Sequence, residues 1–168
     1  MKKAKKYPFL SIQRKRLNLY IQKETSSFVP SEQDFFKWVW QAIKNHYSSA
    51  QINILLADEA LAKQYNHDFR HKDYATNVLS FPSEDAGFYT EHTHALQGDL
   101  IICPQVVEKE AKEQNKTIQA HYAHLTIHGV LHLMGYDHEN EQDAEHMEML
   151  EISILNQLGY TNPYFIQE

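Results

Sequence analysis

The alternation of hydrophobic and polar side chains predicts four β-strands. Residues 17–21 alternate between apolar and polar positions, as a strand with one buried face does, and residues 52–57 form a mostly apolar run. Two further runs, 78–81 and 100–103, each end against a proline, which interrupts strand hydrogen bonding. The chain between them, residues 83–97, follows neither pattern and is predicted to be a loop.

Apolar positions spaced three and four residues apart predict the helices. The first two helices begin at the capping residues Ser31 and Asp58, and the third has Pro104 in its first turn. Thr117 opens a longer helix that should end at Gly135, because glycine readily adopts the left-handed conformation of a C-terminal cap.

A last helix over residues 141–158 brings the total to about five. The mixture predicts a single α/β (α+β) domain: a small, mostly four-stranded mixed sheet packed with about five helices. No repeat or low-complexity linker divides the chain. We expect the domain to span residues 17–160, between a basic N-terminal arm at 1–16 and a C-terminal tail at 161–168.

Charge is distributed unevenly along the chain. The whole sequence has 22 acidic and 16 basic side chains, a net charge of −6, which by itself does not indicate a nucleic-acid binder. Seven basic residues lie in the first sixteen positions, which leaves nine basic against 22 acidic side chains, or −13, for the remainder. Cys103 is the only cysteine, so no internal disulfide forms, and no run approaches the roughly 20 apolar residues of a membrane span. These features predict a cytoplasmic protein without a membrane partner.

Three histidines form the strongest candidate site. The run HGVLHLMGYDH at 128–138 places His128 and His132 on one helical face, one turn apart. Gly135 lets the chain turn, so that His138 returns towards them. Three neutral imidazoles leave a fourth position for water, which is typical of a catalytic Zn²⁺ site, although imidazole sites accept other divalent transition metals. Ordinary core histidines are the alternative, and this spacing makes them a poorer explanation.

The motif differs from the H-E-x-x-H run of metalloproteases at its second residue. Gly129 stands where such a protease has the glutamate that moves a proton. Glycine inside a helix costs about 1 kcal/mol relative to alanine, so we expect it to provide open space or a close backbone approach beside the metal. No ligand carboxylate offsets the charge of the ion, which favours an anionic phosphate substrate over a peptide.

Three segments together resemble the YbeY family of bacterial metal-dependent endoribonucleases. They are the histidine motif, RHKDYATNVLSFP at residues 70–82 and GDLIICP at 98–104, and the likeness extends over about 17–159. The resemblance implies a zinc-dependent, single-strand-specific endoribonuclease of 16S rRNA 3′-end maturation and ribosome quality control. Its partners would be single-stranded RNA, the ribosome or small ribosomal subunit and assembly factors, with no DNA expected.

The resemblance also implies roles for individual residues. His128, His132 and His138 take the metal positions, and Arg70 takes the place of the functional arginine of the family. We therefore regard Arg70 and His128 as the candidate catalytic residues. The family usually has aspartate where this chain has Asn77.

Arg70 also fits this chemistry on its own properties. A guanidinium can bind a phosphodiester through two N–H bonds and stabilise charge that develops on its oxygens. The alternative is a surface ion pair with Asp68 or Asp73.

The sequence leaves the general base open. Zinc hydroxide, His124 and the RNA 2′-hydroxyl are all candidates. His121 and His124 share the helical face of the motif, where they either line the cleft or are polar surface. Asp137 is interpreted as a turn residue and His146 as a surface residue.

Two other functions remain open at this stage. One is a metal-dependent protease or amidase whose base lies outside the motif. The other is a non-catalytic ribosome-assembly binding protein with structural zinc. If RNA binds, the basic residues must be concentrated in one groove while the acidic segment 139–151 faces away. The arm at residues 2–16 is either a salt-sensitive RNA contact or a disordered, solubilising tail.

Overall fold

A four-stranded mixed sheet forms the centre of the fold in the computed structural model, which describes residues 13, 15–83 and 95–165. The strands lie in the order β1-β2-β4-β3; the first three in that order are mutually parallel, and β3 runs antiparallel to β4. The sheet confirms the predicted fold class. The strands are β1 (Leu17–Glu24), β2 (Ser49–Ala57), β3 (Val78–Pro82) and β4 (Ala95–Ile102).

The five predicted helices are all present. Ser31, Asp58 and Thr117 each accept a hydrogen bond from a backbone N–H in the first turn of the following helix, so the predicted N-caps are confirmed. The helices are α1 (Glu32–Ile43), α2 (Glu59–Arg70), α3 (Pro104–Glu113), α4 (Ile118–Leu133) and α5 (Glu141–Gln157).

Strand β4 begins earlier than its sequence pattern indicates. The predicted loop over 83–97 is wrong at its end, because residues 95–97 belong to β4; residues 84–94 lie outside the described part of the chain. Polar side chains interrupt the apolar run here, but backbone pairing with β2 continues through them. The Asn53 amide also donates to the Asp99 carboxylate across the two strands at 2.7 Å. Cross-strand pairing therefore decides the start of β4.

Helices cover both faces of the sheet. One face packs against α1 and α4 and carries the larger core cluster, with Trp38, Phe35 and Tyr122 among its fully buried side chains. On the other face, Leu79 and Ile101 pack towards α2. Helix α4 is the central helix, since ten of its sixteen residues are buried. Its C-terminal end, which carries the histidine motif, lies beside β3 and β4.

Only the end of the predicted N-terminal arm is described. The Arg16 guanidinium donates to the carbonyl oxygens of Ser48 at 2.9 Å and Lys44 at 3.2 Å, and also to that of Tyr47. Arg16 is therefore bound to the segment that follows α1. Residues 1–12 and 14 lie outside the described part of the chain. Among the helices that are described, none combines the length and apolar character that a transmembrane span requires.

Candidate metal centre

The three predicted metal ligands lie together at the end of α4. The Nε2 atoms of His128 and His132 are 3.1 Å apart, and the His138 ring centroid lies 5.6 and 5.0 Å from those of His128 and His132. One ligand atom from each residue falls within 4.8 Å of the others. A single ion can therefore contact all three imidazoles.

The turn that delivers His138 depends on Gly135, as predicted. Gly135 has a φ of +94°, a conformation that residues with a side chain rarely adopt. Its N–H donates to the carbonyl of His132 at 3.0 Å, and the N–H of Tyr136 donates to the carbonyl of Leu131 at 3.0 Å. These bonds satisfy the last carbonyls of α4 and reverse the chain towards the metal centre.

The hydrogen bonds of two candidate ligands fix their tautomers. Nδ1 of His132 donates to the backbone carbonyl of Tyr136 at 2.9 Å, and Nδ1 of His128 donates to Oε1 of Glu151 at 2.5 Å. Each Nε2 is then left with a lone pair, and the two lone pairs face one another at 3.1 Å. A cation between them relieves this repulsion, so the residues present fit a bound metal ion.

Glu151 is a residue of the candidate site that was not predicted from the sequence. Its side chain is 0% exposed, and its second oxygen accepts a hydrogen bond from Nε2 of His124 at 2.8 Å and one from the hydroxyl of Tyr164. Burial alone would raise the pKa of Glu151, but the hydrogen bonds from His124 and His128 outweigh it and hold the pKa at about 2. The Glu151 carboxylate is therefore charged, and both of its oxygens accept hydrogen bonds. The sequence did contain a signal for this burial. Glu151 lies four residues after Met147 and four before Leu155, and both of these apolar residues are buried on α5.

One expectation about charge needs correction, and another needs an addition. No carboxylate was expected among the metal ligands themselves, and the group formed by the three histidines contains none, but the Glu151 carboxylate lies directly behind the candidate ligand His128. The acidic segment 139–151 was expected to face away from the substrate groove, yet Glu139 lines the metal cavity and Glu151 is buried against the ligand. Helix α5 packs on α4, which brings its buried face to the site.

Gly129 faces the sheet and not open space beside the metal. A Cβ added there would lie 2.9 Å from Cδ2 of Leu100 and 3.2 Å from Cγ2 of Val78. The backbone carbonyl of Gly129 also accepts a hydrogen bond from the Ser80 hydroxyl at 3.1 Å. The expected close backbone approach is therefore present, but it is an approach of α4 to β3 and β4. The glycine clears no space for a reactant.

Arg70 shares a cavity of about 610 Å³ with the three histidines. Asp73, one of its two predicted ion-pair partners, instead contacts Nζ of Lys63 at 3.3 Å and Nδ1 of His67 at 3.9 Å. Within the described residues Arg70 forms no ion pair, and its exposed guanidinium is free to meet a ligand in the cavity.

Asn77 links the metal cavity to a second acidic group. Its amide donates to both carboxylate oxygens of Glu110, at 3.2 and 3.0 Å, which an aspartate at this position would not do. Oε2 of Glu110 also accepts a hydrogen bond from Nε2 of His121 at 2.8 Å. Burial alone would raise the pKa of Glu110, but these hydrogen bonds lower it. Asn77 therefore holds a charged carboxylate beside the site.

The remaining histidines have different environments. His124 and His121 belong to the buried hydrogen-bond network and are not polar surface, and Nδ1 of each is buried without a partner among the described residues. Burial lowers the pKa of His124, and burial followed by the charges of His128 and His138 lowers that of His132. His146 is exposed, as predicted. Unprotonated imidazoles at neutral pH are the form that a metal requires.

Comparison with known proteins identifies the family. A family profile described as Endoribonuclease YbeY matches residues 19–159. A curated relative from Neisseria gonorrhoeae, named Endoribonuclease YbeY, is 54% identical over 98% of this chain and 97% of its own length. One of the same name from Pseudomonas fluorescens is 47% identical over 88% of this chain and 96% of its own. The solution structure of TM1509 from Thermotoga maritima matches with a TM-score of 0.56 and 26% identity, covering 84% of this chain and 91% of that one. The chain therefore belongs to the Endoribonuclease YbeY family.

Proposed function

We propose that this chain is an endoribonuclease whose metal ligands are His128, His132 and His138 and whose metal is zinc. The observation that carries the proposal is the convergence of three imidazoles in one cleft with the guanidinium of Arg70, which forms no ion pair with any described residue. The curated relatives that match almost the whole chain bear the name Endoribonuclease YbeY, which supports RNA as the substrate.

The finer part of the proposal rests on the family resemblance. We propose single-stranded RNA, and specifically 16S rRNA during 3′-end maturation, as the substrate. The partners are then the small ribosomal subunit and its assembly factors, and the compartment is the cytoplasm. Quality control of ribosomes is the process in which such an activity would serve.

The electrostatics of the cleft favour a phosphodiester. When bound, Zn²⁺ polarises a phosphoryl oxygen and lowers the pKa of a water molecule. The three imidazoles are neutral ligands, and the Glu151 carboxylate behind them offsets about one of the two charges of the ion. The ion with its three imidazoles and Glu151 keeps a net positive charge, which attracts an anionic phosphodiester more strongly than a neutral peptide bond.

Arg70 is placed to hold the phosphate. Its guanidinium can donate two parallel N–H bonds to the non-bridging oxygens and stabilise the charge that develops on them. Asp137 and Glu139 line the same cavity and repel phosphate, so the phosphodiester should approach from the Arg70 side.

The hydrogen bonds of His124 bear on which group acts as the general base. Nε2 of His124 donates to Glu151, and its Nδ1 is buried away from the cleft, so His124 is poorly placed to take a proton from the substrate. An activated water molecule and the RNA 2′-hydroxyl are the two routes that remain. The products differ, since attack by the 2′-hydroxyl leaves a 2′,3′-cyclic phosphate and attack by water that expels the 3′-oxygen leaves a 5′-phosphate.

The two competing functions receive less support. A protease would need a base, and the glutamate position of the protease motif faces Leu100 and Val78 in the core. A structural zinc would need a fourth protein ligand, and among the described residues no other His, Cys, Asp or Glu joins the group formed by the three histidines.

The test is cleavage of a defined single-stranded RNA, with a duplex of the same sequence and an unstructured peptide as parallel substrates. The purified protein should cleave the single strand, lose this activity in chelator and recover it with Zn²⁺. Analysis of the new RNA ends then distinguishes attack by water from attack by the 2′-hydroxyl. Peptide turnover without RNA turnover would overturn the proposal, as would RNA cleavage that persists fully in chelator.

A further inference from the structure

A second cavity, of about 730 Å³, opens next to the metal centre. His128 and Asn77 line both cavities, so a strand held at the metal centre can continue into the second one. Its other walls come from the end of α3, from the turn 114–116, from α4 and from the C-terminal segment 163–165. The chemistry proposed at the metal centre uses no group of α3 or of the turn 114–116.

An exposed aromatic ring forms part of this cavity. Phe165 is 76% exposed, the highest value among the large hydrophobic side chains of the described residues. The residue before it is anchored, because the Tyr164 hydroxyl bonds to Glu151 and its ring packs edge-on against His124 with centroids 5.3 Å apart. Pro163 is buried. Phe165 therefore follows a segment that is tied to the metal centre.

The polar groups of the cavity suit the edge of a base better than a phosphate. Glu110 and Glu113 line it, and the only lysine or arginine among the described lining residues is Lys116, whose Nζ donates to Gln114 at 2.7 Å. Carboxylates repel a phosphate but accept hydrogen bonds from the amino groups of bases. The phosphate-binding cation, Arg70, lies in the other cavity.

We propose that this second cavity is a nucleobase subsite, in which a base of single-stranded RNA next to the scissile phosphate stacks on Phe165. The proposal rests on the endoribonuclease function proposed above and adds a substrate-positioning residue to it. Stacking on aromatic side chains is a common way in which proteins hold unpaired bases, and it tolerates different base sequences. A duplex does not present its bases in this way, so the subsite would also favour single strands.

The test measures binding of a short fluorescent single-stranded RNA in chelator, where no cleavage interferes. Phe165→Ala and Phe165→Leu should each weaken binding roughly 5- to 100-fold, and Phe165→Tyr, which keeps the ring, should stay within about twofold of wild type. The matched control is Tyr20→Ala, which removes another largely exposed ring (62%) from the edge strand β1. With metal restored, Phe165→Ala should raise KM more than it lowers kcat.

Each outcome decides the proposal. Equal affinities for Phe165→Ala and Tyr20→Ala would overturn it, and so would normal binding by Phe165→Leu, because that would indicate apolar packing without stacking. If Phe165→Ala fails to fold, the comparison of Phe165→Leu with Phe165→Tyr gives the answer. Failure of the metal-loaded wild type to cleave RNA would overturn the proposed function, whereas cleavage with unchanged Phe165→Ala binding would overturn only the subsite.

Discussion

Glu151 on α5 accepts the Nδ1–H of His128 on α4 at 2.5 Å, although 23 residues separate them in the sequence. The contact holds the imidazole in the tautomer whose Nε2 faces the other two histidines. It also joins the two helices at the metal centre, because the Glu151 carboxylate is fully buried between His128, His124 and Tyr164. The geometry of the candidate metal ligands thus depends on a residue outside the motif.

Replacing Glu151 with glutamine should weaken the metal centre. The amide can accept a hydrogen bond from one histidine only and turns its NH₂ group towards the other, so the orientation of His128 is no longer fixed. We expect metal affinity and RNA cleavage to fall about 10- to 100-fold. Competition with a chromogenic chelator measures the metal affinity. Glu145→Gln, an exposed change on the same helix, is the control, and an equal effect of both variants would contradict the role of Glu151.

Acid should destabilise the metal-free protein in two stages. Burial lowers the pKa of His124 and His132 in the folded protein below the ordinary 6.5. These histidines therefore take up protons more readily in the unfolded chain than in the folded protein. The free energy of unfolding should fall as the pH drops below about 6.5. The Glu151 pKa of about 2, against an ordinary 4.5, contributes stability that is complete above about pH 4.5 and is lost as the pH falls towards 2. Urea unfolding of chelator-treated protein at about pH 7.5, 5.5 and 3.5 gives the free energy of unfolding in both stages.

The two stages are separable by mutation. Glu151→Gln should keep the decline that begins near pH 6.5, in which the histidines take part, and should lack the additional loss between about pH 4.5 and 2. A wild-type free energy of unfolding that rises on acidification, or a Glu151→Gln profile parallel to that of wild type at low pH, would contradict this assignment.

Gly129→Glu recreates the sequence of a protease motif but should not create a protease. The new carboxylate would point at Leu100 and Val78, and burying it there should lower the free energy of unfolding by about 3 kcal/mol or more. Gly129→Ala is the control: small shifts of Leu100 admit the methyl group, and the gain of about 1 kcal/mol in helix propensity offsets the crowding. Thermal unfolding measures both. A stable Gly129→Glu variant with peptidase activity would contradict the observed packing.

Arg70→Ala should impair RNA cleavage without harming the fold. The guanidinium has no ion-pair partner in the described structure, so thermal stability should stay within about 0.5 kcal/mol of wild type. If Arg70 stabilises the transition state, kcat/KM should fall about 10²- to 10³-fold. Arg70→Lys keeps the charge but not the paired donors and should recover only part of the loss. Full activity in Arg70→Lys would indicate a purely electrostatic role, and full activity in Arg70→Ala would exclude the assignment.

The sequence predicted those parts of the molecule that depend on local spacing. Helical periodicity placed His128 above His132, and the conformational freedom of Gly135 accounted for the return of His138. Both relationships involve at most eleven residues of continuous chain. The element types followed in the same way from hydrophobic periods and capping residues.

Features that depend on packing between distant segments could not be predicted in this way. Glu151 and Tyr164 reach His128 only because α5 and the following segment pack against α4, and nothing in the motif specifies that contact. The direction of Gly129 was misjudged for the same reason, since the proximity of Leu100 follows from the position of β4. A charged residue within an apolar helical stripe, as at Glu151, is the kind of signal that points to such a contact.

The most direct measurement is metal content together with RNA cleavage in single-histidine variants of the purified protein. Wild type should carry about one equivalent of metal per chain, whereas His128→Ala and His132→Ala should lose both metal and cleavage together. His46→Ala, which removes an exposed histidine away from the motif, should retain both. Retention of both metal and RNA cleavage by His128→Ala or His132→Ala would contradict a three-imidazole catalytic centre.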